Sequence, residues 1–194
     1  MNGEVMAELL LALTTGVLGW RAYARRPGVA LSMDLIALAA LLGALEYAGV
    51  VAVTGPHHFA SLLAATAGMP LLAVALRWPT GEVASRAQAA SRFMLFAVAM
   101  GVLLVVTCQF TLWAQLAPAV AAVVLLVSAL QSGGKQAISG ALLLMGCFSL
   151  SVLNLTLTPL SGEQQFHVMF TLSLSLLVWP REQVGCISSK RNTP

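Results

Sequence analysis

Long apolar runs, each about the length of a membrane span, occupy almost the whole of this 194-residue chain. A helix needs roughly 20 apolar residues to cross a bilayer, and breaks at charged residues, proline and glycine divide the sequence into seven such runs. With 59% of its residues hydrophobic and only 9% charged, the chain has too few charges to cover a soluble domain. The runs are Val5–Tyr23, Val29–Val53, Phe59–Leu76, Phe93–Phe110, Trp113–Leu130, Ala137–Leu157 and Gln164–Trp179.

The sequence therefore predicts an all-α fold, a polytopic integral membrane bundle of seven transmembrane helices. No connection between the runs is long enough for a soluble domain, since the longest, from Arg77 to Arg92, is a polar loop rich in alanine and serine. We expect one transmembrane domain over residues 1–181. Residues 182–194 are expected to form a disordered cytoplasmic tail.

The positive charges fix the predicted orientation. All ten lysine and arginine residues fall in alternate gaps between the runs and in the tail, and the three histidines fall in the other gaps. Because cations in short loops favour the cytoplasmic side, the N-terminus is expected outside and the C-terminus in the cytoplasm. The cations are Arg21, Arg25, Arg26, Arg77, Arg86, Arg92, Lys135, Arg181, Lys190 and Arg191.

This charge pattern also bears on partners and location. A net charge of +3 is explained by the orientation signal and by contacts with anionic lipid headgroups, so nucleic acid is not an expected partner. The expected partner is the lipid bilayer, with other membrane subunits as an open alternative. The expected location is the plasma membrane, which for a bacterial protein means the inner membrane.

Glu46 is the most informative polar residue inside a predicted span. It is the only charged residue between Gly43 and Gly49 and lies about two helical turns, roughly 10 Å, below the outer end of helix 2. Ionisable groups at this depth are costly and often functional, so Glu46 is the candidate catalytic residue. A carboxyl group that only holds helices together through hydrogen bonds is the alternative.

Three histidines on the same predicted side of the membrane are candidate metal ligands. His57 and His58 occupy a turn that leads into helix 3, and His167 begins helix 7. Imidazole binds zinc, copper and iron well, and two or three histidines with a carboxylate suit a catalytic metal site. Without an HxxxH or HExxH spacing, the ligands must come from separate helices. Histidines exposed to solvent would be the simpler explanation.

Other polar residues share the outer half of the predicted bundle. Asn154, Gln109, Thr171 and Glu163 are candidates to support the metal ligands by hydrogen bonds. Thr171 belongs to a polar stripe on helix 7, and Asn154 to a similar stripe on helix 6. The polar set of the outer half is Glu8, Glu46, His57, His58, Gln109, Asn154, Glu163 and His167.

In helix number and in a histidine on the last helix, the layout resembles the seven-helix metal-dependent membrane hydrolases that include alkaline ceramidases and adiponectin-type receptors. That resemblance implies a zinc ion held among the helices by histidines. The HxxxH pair on their final helix has no counterpart here, because His167 is followed by Val168, Met169, Phe170 and Thr171. The metal site of those proteins also usually lies towards the cytoplasmic side, where this chain has few polar residues.

Three functional classes fit these observations. The first is a metal-dependent membrane enzyme, hydrolase-like, acting on a lipid-like substrate with Glu46 as base. The second is a small-molecule or metal transporter or ligand-capture subunit, in which Met69-Pro70 would kink helix 3. The third is an accessory subunit of a larger membrane complex, with haem as an alternative cofactor to zinc, copper or iron. Metal content would distinguish them.

Overall fold

In the computed structural model, the described residues are 2–78, 80–83, 86–153, 155–157 and 159–190, with backbone alone for 180–190. Across these residues the regular structure is helical. Seven helices follow one another: α1 Gly3–Ala22, α2 Pro27–Tyr47, α3 Val51–Arg77, α4 Ala87–Thr107, α5 Trp113–Ser132, α6 Lys135–Val152 and α7 Gly162–Lys190.

The first six helices are each long and apolar enough to cross a membrane. The first turns of α7 are polar, and its apolar part begins only after Gln165. Large leucine, valine and tryptophan side chains cover the outside of the helices, as expected of a surface in contact with lipid. The chain is therefore an all-helical, multi-pass membrane protein.

Small residues let neighbouring helices pack closely, as is common inside membranes. A Cβ at Gly19 in α1 would lie 3.2 Å from Met33 in α2, and one at Gly140 in α6 would lie 2.9 Å from Leu176 in α7. Helix α1 packs along both α2 and α7, α6 packs on α7 and α5, and α5 packs on the second half of α3. Helix α4 is peripheral, because few of its residues are buried inside the bundle.

The alternating up-and-down course of the helices separates positive charge from the histidines. Arg25 and Arg86 line a shared surface cavity, which places the loops after α1 and α3 at the same end of the bundle. The Arg21 guanidinium lies 4.1 Å from the ring centre of Trp179, in the second half of α7. The three histidines lie at the opposite end.

Proline explains an irregularity in the middle of α3. Pro70 has no N–H, and its ring conflicts with the carbonyl of the residue four positions earlier, Thr66. The helix widens into a π-helical turn over Ala64–Gly68, in which the Met69 N–H donates to the Ala64 carbonyl. Ser32 of α2 donates to the Gly68 carbonyl at 2.7 Å, which ties the irregular turn to its neighbour.

Several helix boundaries differ from the sequence-based expectation. Helix α3 begins at Val51 rather than Phe59, and α4 begins at Ala87 rather than Phe93. Helix α2 ends at Tyr47 rather than Val53, because Gly49 adopts a positive φ of 94°, a conformation that terminates helices and that glycine tolerates best. The chain then re-enters a helical conformation at Val51. Helix α6 ends at Val152 rather than Leu157.

The last helix is longer than expected. Its backbone continues through residues 182–190, the first part of the segment for which the sequence predicts a disordered tail. Residues 191–194 lie outside the described part of the chain.

Candidate functional site

His57 and His58 lie in a helix, which corrects their expected position in a turn. The α-helical part of α3 starts at Thr54, so both histidines belong to its first turns. Pro56 is compatible with this assignment, because the first N–H groups of a helix have no intrahelical partner and a proline loses nothing there. The imidazoles are therefore held by a regular backbone.

The tight connection between α2 and α3 brings Glu46 against these histidines. The Val50 N–H donates to the Leu45 carbonyl at 3.0 Å, a bond typical of a glycine-terminated helix end. The chain reverses over Gly49 and runs back past the last turn of α2. Glu46 and His57, eleven residues apart, thereby become direct neighbours.

Glu46 contacts both histidines. Its Oε2 atom is hydrogen-bonded to Nδ1 of His57, and its Oε1 atom lies 4.0 Å from Nε2 of His58. When one potential ligand atom is taken from each of these three residues, the three atoms all lie within 4.8 Å of one another. The His58 side chain is 72% exposed, whereas that of His57 is 14% exposed. His57 is therefore the least exposed member of the group.

His167 is placed on a different carboxylate. Its Nε2 atom lies 3.3 Å from Oε1 of Glu8 in α1. The Glu8 side chain is 3% exposed, and its second oxygen, Oε2, has no hydrogen-bond partner among the described residues. A buried carboxyl oxygen without a partner costs free energy, so Glu8 is an unusual residue in an apolar helix.

Gly43 of α2 lies where the two carboxylate–histidine pairs meet. A Cβ at this position would overlap Oε1 of Glu8 and would lie 3.0 Å from Nε2 of His57. The Nε2 atom of His57 and the Glu8 carboxylate therefore face the same small space next to Gly43. The order of side chains across the site is Glu46, His57, Glu8 and His167.

A cavity adjoins both pairs. It has a volume of about 220 Å³ and lies between α1, α2, α3, α5, α6 and α7. Glu8, His57, His167 and Ser61 are the polar side chains on its wall, and the remaining wall is apolar, with Phe148, Phe166 and Phe170 among its residues. A mainly apolar cavity with a few converging polar groups is typical of a ligand-binding site.

A wider polar depression of about 730 Å³ lies beside the cavity and shares Glu8, His57 and His167 with it. Tyr47 donates a hydrogen bond of 2.7 Å to Oε2 of Glu163 at this depression. The bond joins the end of α2 to the beginning of α7. Water-soluble molecules can approach the histidines from this side.

The remaining predicted site residues do not join the carboxylate–histidine set. Gln109 is exposed, and its amide donates to the Val106 carbonyl at 2.8 Å. Thr171 donates to the His167 carbonyl at 2.7 Å, so its hydroxyl serves its own helix. Asn154 lies outside the described residues. Glu163 borders the depression, where its carboxylate accepts the hydrogen bond from Tyr47, and its backbone lies next to the His167 imidazole.

Glu8 is the site residue that the sequence reasoning did not assign. Its signal was available, because it is the only charged residue between Glu4 and Arg21 in the first apolar run. From the sequence, it belonged only to the polar set of the outer half, with no role of its own. Only the packing of α1 against α2 and α7 shows that it is buried beside His167.

No protein-family model, curated protein or solved structure matches this chain. What the site does is therefore argued from its own residues.

Proposed function

We propose that this chain is a seven-span membrane protein, with its N-terminus outside, that binds one transition-metal ion at an outward-facing histidine–carboxylate site and hydrolyses a lipid-like substrate there. Zinc is the metal best suited to this chemistry, since it combines with imidazole and carboxylate ligands and leaves a coordination position for water. The bacterial inner membrane is the proposed location.

The observation that supports metal binding is the convergence of three histidines and two carboxylates at one end of the bundle. Within this set, potential ligand atoms of Glu46, His57 and His58 lie within 4.8 Å of one another. Two imidazoles and a carboxylate form a common ligand set of catalytic zinc. All three residues come from one helix–turn–helix connection whose geometry is set by Gly49. The site is thus held by backbone structure rather than by flexible loops.

A bound zinc ion would supply Lewis acidity and would lower the pKa of a coordinated water to about 7. The carboxylates of the site would orient the imidazoles and accept protons at their oxygen atoms. The apolar cavity beside His57 would hold an alkyl or aryl part of the substrate and exclude water from it. These roles need no residue from the cation-bearing end of the bundle.

Metal analysis of the detergent-purified protein tests this proposal. We expect about one zinc ion per chain, removal of the ion by a chelator, and chelator-sensitive hydrolysis of a short-chain ester probe such as 4-nitrophenyl hexanoate. A protein that holds no zinc, copper or iron after incubation with each metal and desalting would contradict the proposal.

Transport of a small molecule or metal is a second candidate function. The π-helical turn Ala64–Gly68 supports it, because Ala64 and Ala65 line the cavity and such turns are frequent at sites that move or bind ligands. Uptake of zinc into liposomes containing the purified protein would favour transport. Ester hydrolysis without uptake would favour the enzyme.

A further inference from the structure

The Glu8 carboxylate has an unused bonding capacity inside the end of the bundle that holds the histidines. Its side chain is 3% exposed, and Oε2 has no hydrogen-bond partner among the described residues. Burying a carboxyl group in this way is expensive unless a charge or a donor compensates for it. His167 reaches only Oε1, so Oε2 remains free to bind a ligand in the adjoining cavity.

The distance between Glu8 and His167 matches a shared metal ion. With bonds of about 2.0–2.1 Å and tetrahedral angles, two zinc ligand atoms lie roughly 3.4 Å apart, and Nε2 of His167 lies 3.3 Å from Oε1 of Glu8. The same separation would also suit a weak hydrogen bond. The free oxygen Oε2 favours the metal, as does the His57 imidazole, which faces the same space next to Gly43. The ligand atoms of Glu8, His57 and His167 do not form a group within 4.8 Å of one another, so His57 must move towards the other two when the ion binds.

His57 presents the correct atom to this space. Its Nδ1 is hydrogen-bonded to Glu46, and when Nδ1 carries the shared proton, Nε2 is left with a free lone pair. Nε2 and Oε1 of Glu8 both face the position that a Gly43 Cβ would occupy. A histidine that ligates through one nitrogen and donates the other N–H to a carboxylate is the usual arrangement in metal sites.

We infer that, if the site binds a metal as proposed above, the ion lies inside the bundle between Glu8, Nε2 of His57 and Nε2 of His167, and that Glu46 is a positioning residue for His57. The ligands then come from α1, α3 and α7. Helix α1 packs on both α2 and α7, and the start of α3 packs on α2. The fourth coordination position opens onto the 220 Å³ cavity.

The alternative position, between Glu46, His57 and His58, is less favourable for two reasons. An ion there would have to replace the existing bond between Glu46 and Nδ1 of His57. It would also depend on His58, whose side chain is 72% exposed and must lose conformational freedom to bind. The inner position keeps the Glu46–His57 bond and uses less exposed groups.

Zinc and cobalt binding to the full-length protein in detergent distinguishes the two positions. The variants are Glu8→Gln and His167→Ala for the inner ligands, His58→Ala for the outer one, Glu46→Gln for the positioning role, and Glu4→Gln as a control in α1, the helix that contains Glu8. Affinity is measured by competition with a zinc chelator, and the ligand field by the visible absorption of bound Co²⁺. Thermal unfolding of each variant without metal shows whether it folds.

We expect Glu8→Gln and His167→Ala to lose zinc affinity by about 100-fold or more and to change the Co²⁺ spectrum. Glu46→Gln should lose roughly 10- to 100-fold, the typical effect of removing a group that orients a ligand, and keep the wild-type Co²⁺ spectrum. His58→Ala and Glu4→Gln should bind as the wild type does.

Strong loss in His58→Ala with wild-type binding in folded Glu8→Gln and His167→Ala would overturn this inference and leave the proposed function standing. Absence of metal binding by the wild type itself would overturn both. If Glu8→Gln does not fold, Glu8→Asp provides the same test, because it keeps the charge and withdraws the oxygens from His167.

Discussion

Nε2 of His167 lies 3.3 Å from Oε1 of Glu8, so the first and the last helices of the bundle meet through a buried carboxylate–imidazole contact. The second contact of this kind, between Glu46 and His57, joins α2 to α3. Because Gly43 has no side chain, Glu8 of the first contact and His57 of the second can both approach its Cα. Four helices therefore contribute to one polar region in an otherwise apolar bundle.

The smallest side-chain change with a large expected effect is Gly43→Ala. The added methyl group would overlap the Glu8 carboxylate and lie 3.0 Å from Nε2 of His57, so the two contacts must move apart. Overpacking of this kind typically costs about 1–3 kcal/mol, and we expect metal affinity to fall with it. Unfolding titrations in detergent and a zinc competition assay measure the two effects.

Gly16→Ala in α1 is the matched control, because a Cβ there would meet nothing within 4 Å. Replacing glycine with alanine inside a helix should stabilise it by up to about 1 kcal/mol. Equal stability and equal metal affinity in the Gly43 and Gly16 variants would show that the space over Gly43 is not used.

Glu46→Gln separates a functional carboxylate from a structural one. Glutamine keeps the shape of the side chain and can still hydrogen-bond to His57, and the Glu46 side chain is 25% exposed, so expression and thermal stability should change little. Metal affinity and activity should fall, because an amide can neither carry the charge nor accept the proton. A Gln variant with wild-type activity would make Glu46 structural.

Membrane topology follows from the separation of cations and histidines. In a background without the native cysteines, a cysteine at the exposed Gly55 should react with an impermeant thiol reagent from outside, and one at the exposed Thr80 only after the membrane is opened. A reporter fused after Pro194 should be cytoplasmic. Finding that reporter on the same side as Gly55 would exclude seven spans.

The hydrogen bond from Ser32 to the Gly68 carbonyl should stabilise the irregular part of α3. Both groups are buried, and the bond length is 2.7 Å. Interhelical hydrogen bonds in membranes contribute about 0.6 kcal/mol on average and up to about 1.7 kcal/mol. We expect Ser32→Ala to lower the free energy of unfolding by an amount in this range.

Ser91→Ala is the control for Ser32, since the exposed Ser91 hydroxyl donates only to the Gln88 carbonyl of its own helix at 3.1 Å. It should leave stability unchanged. If both serine variants unfold at the same denaturant concentration as the wild type, the Ser32 bond contributes nothing to stability.

The sequence by itself determined that this chain forms membrane-spanning helices, because runs of about twenty apolar residues have no other stable arrangement in a bilayer. It also identified Glu46, His57, His58 and His167 as noteworthy, since ionisable groups are rare in such runs. Helix ends were less certain. Helix α2 ends at Tyr47, before its apolar run ends, because Gly49 adopts a positive φ that interrupts the helix.

Only the tertiary structure decided which carboxylate each histidine contacts. His57 and Glu46 are close in the chain and could be paired by reading a short turn, but Glu8 and His167 meet only because α1 packs between α2 and α7. The apolar surface of a membrane helix does not predict which helix packs against it, since lipid and other helices are equally apolar. The choice depends on where small residues such as Gly43 allow close approach, and that is a property of the packed bundle.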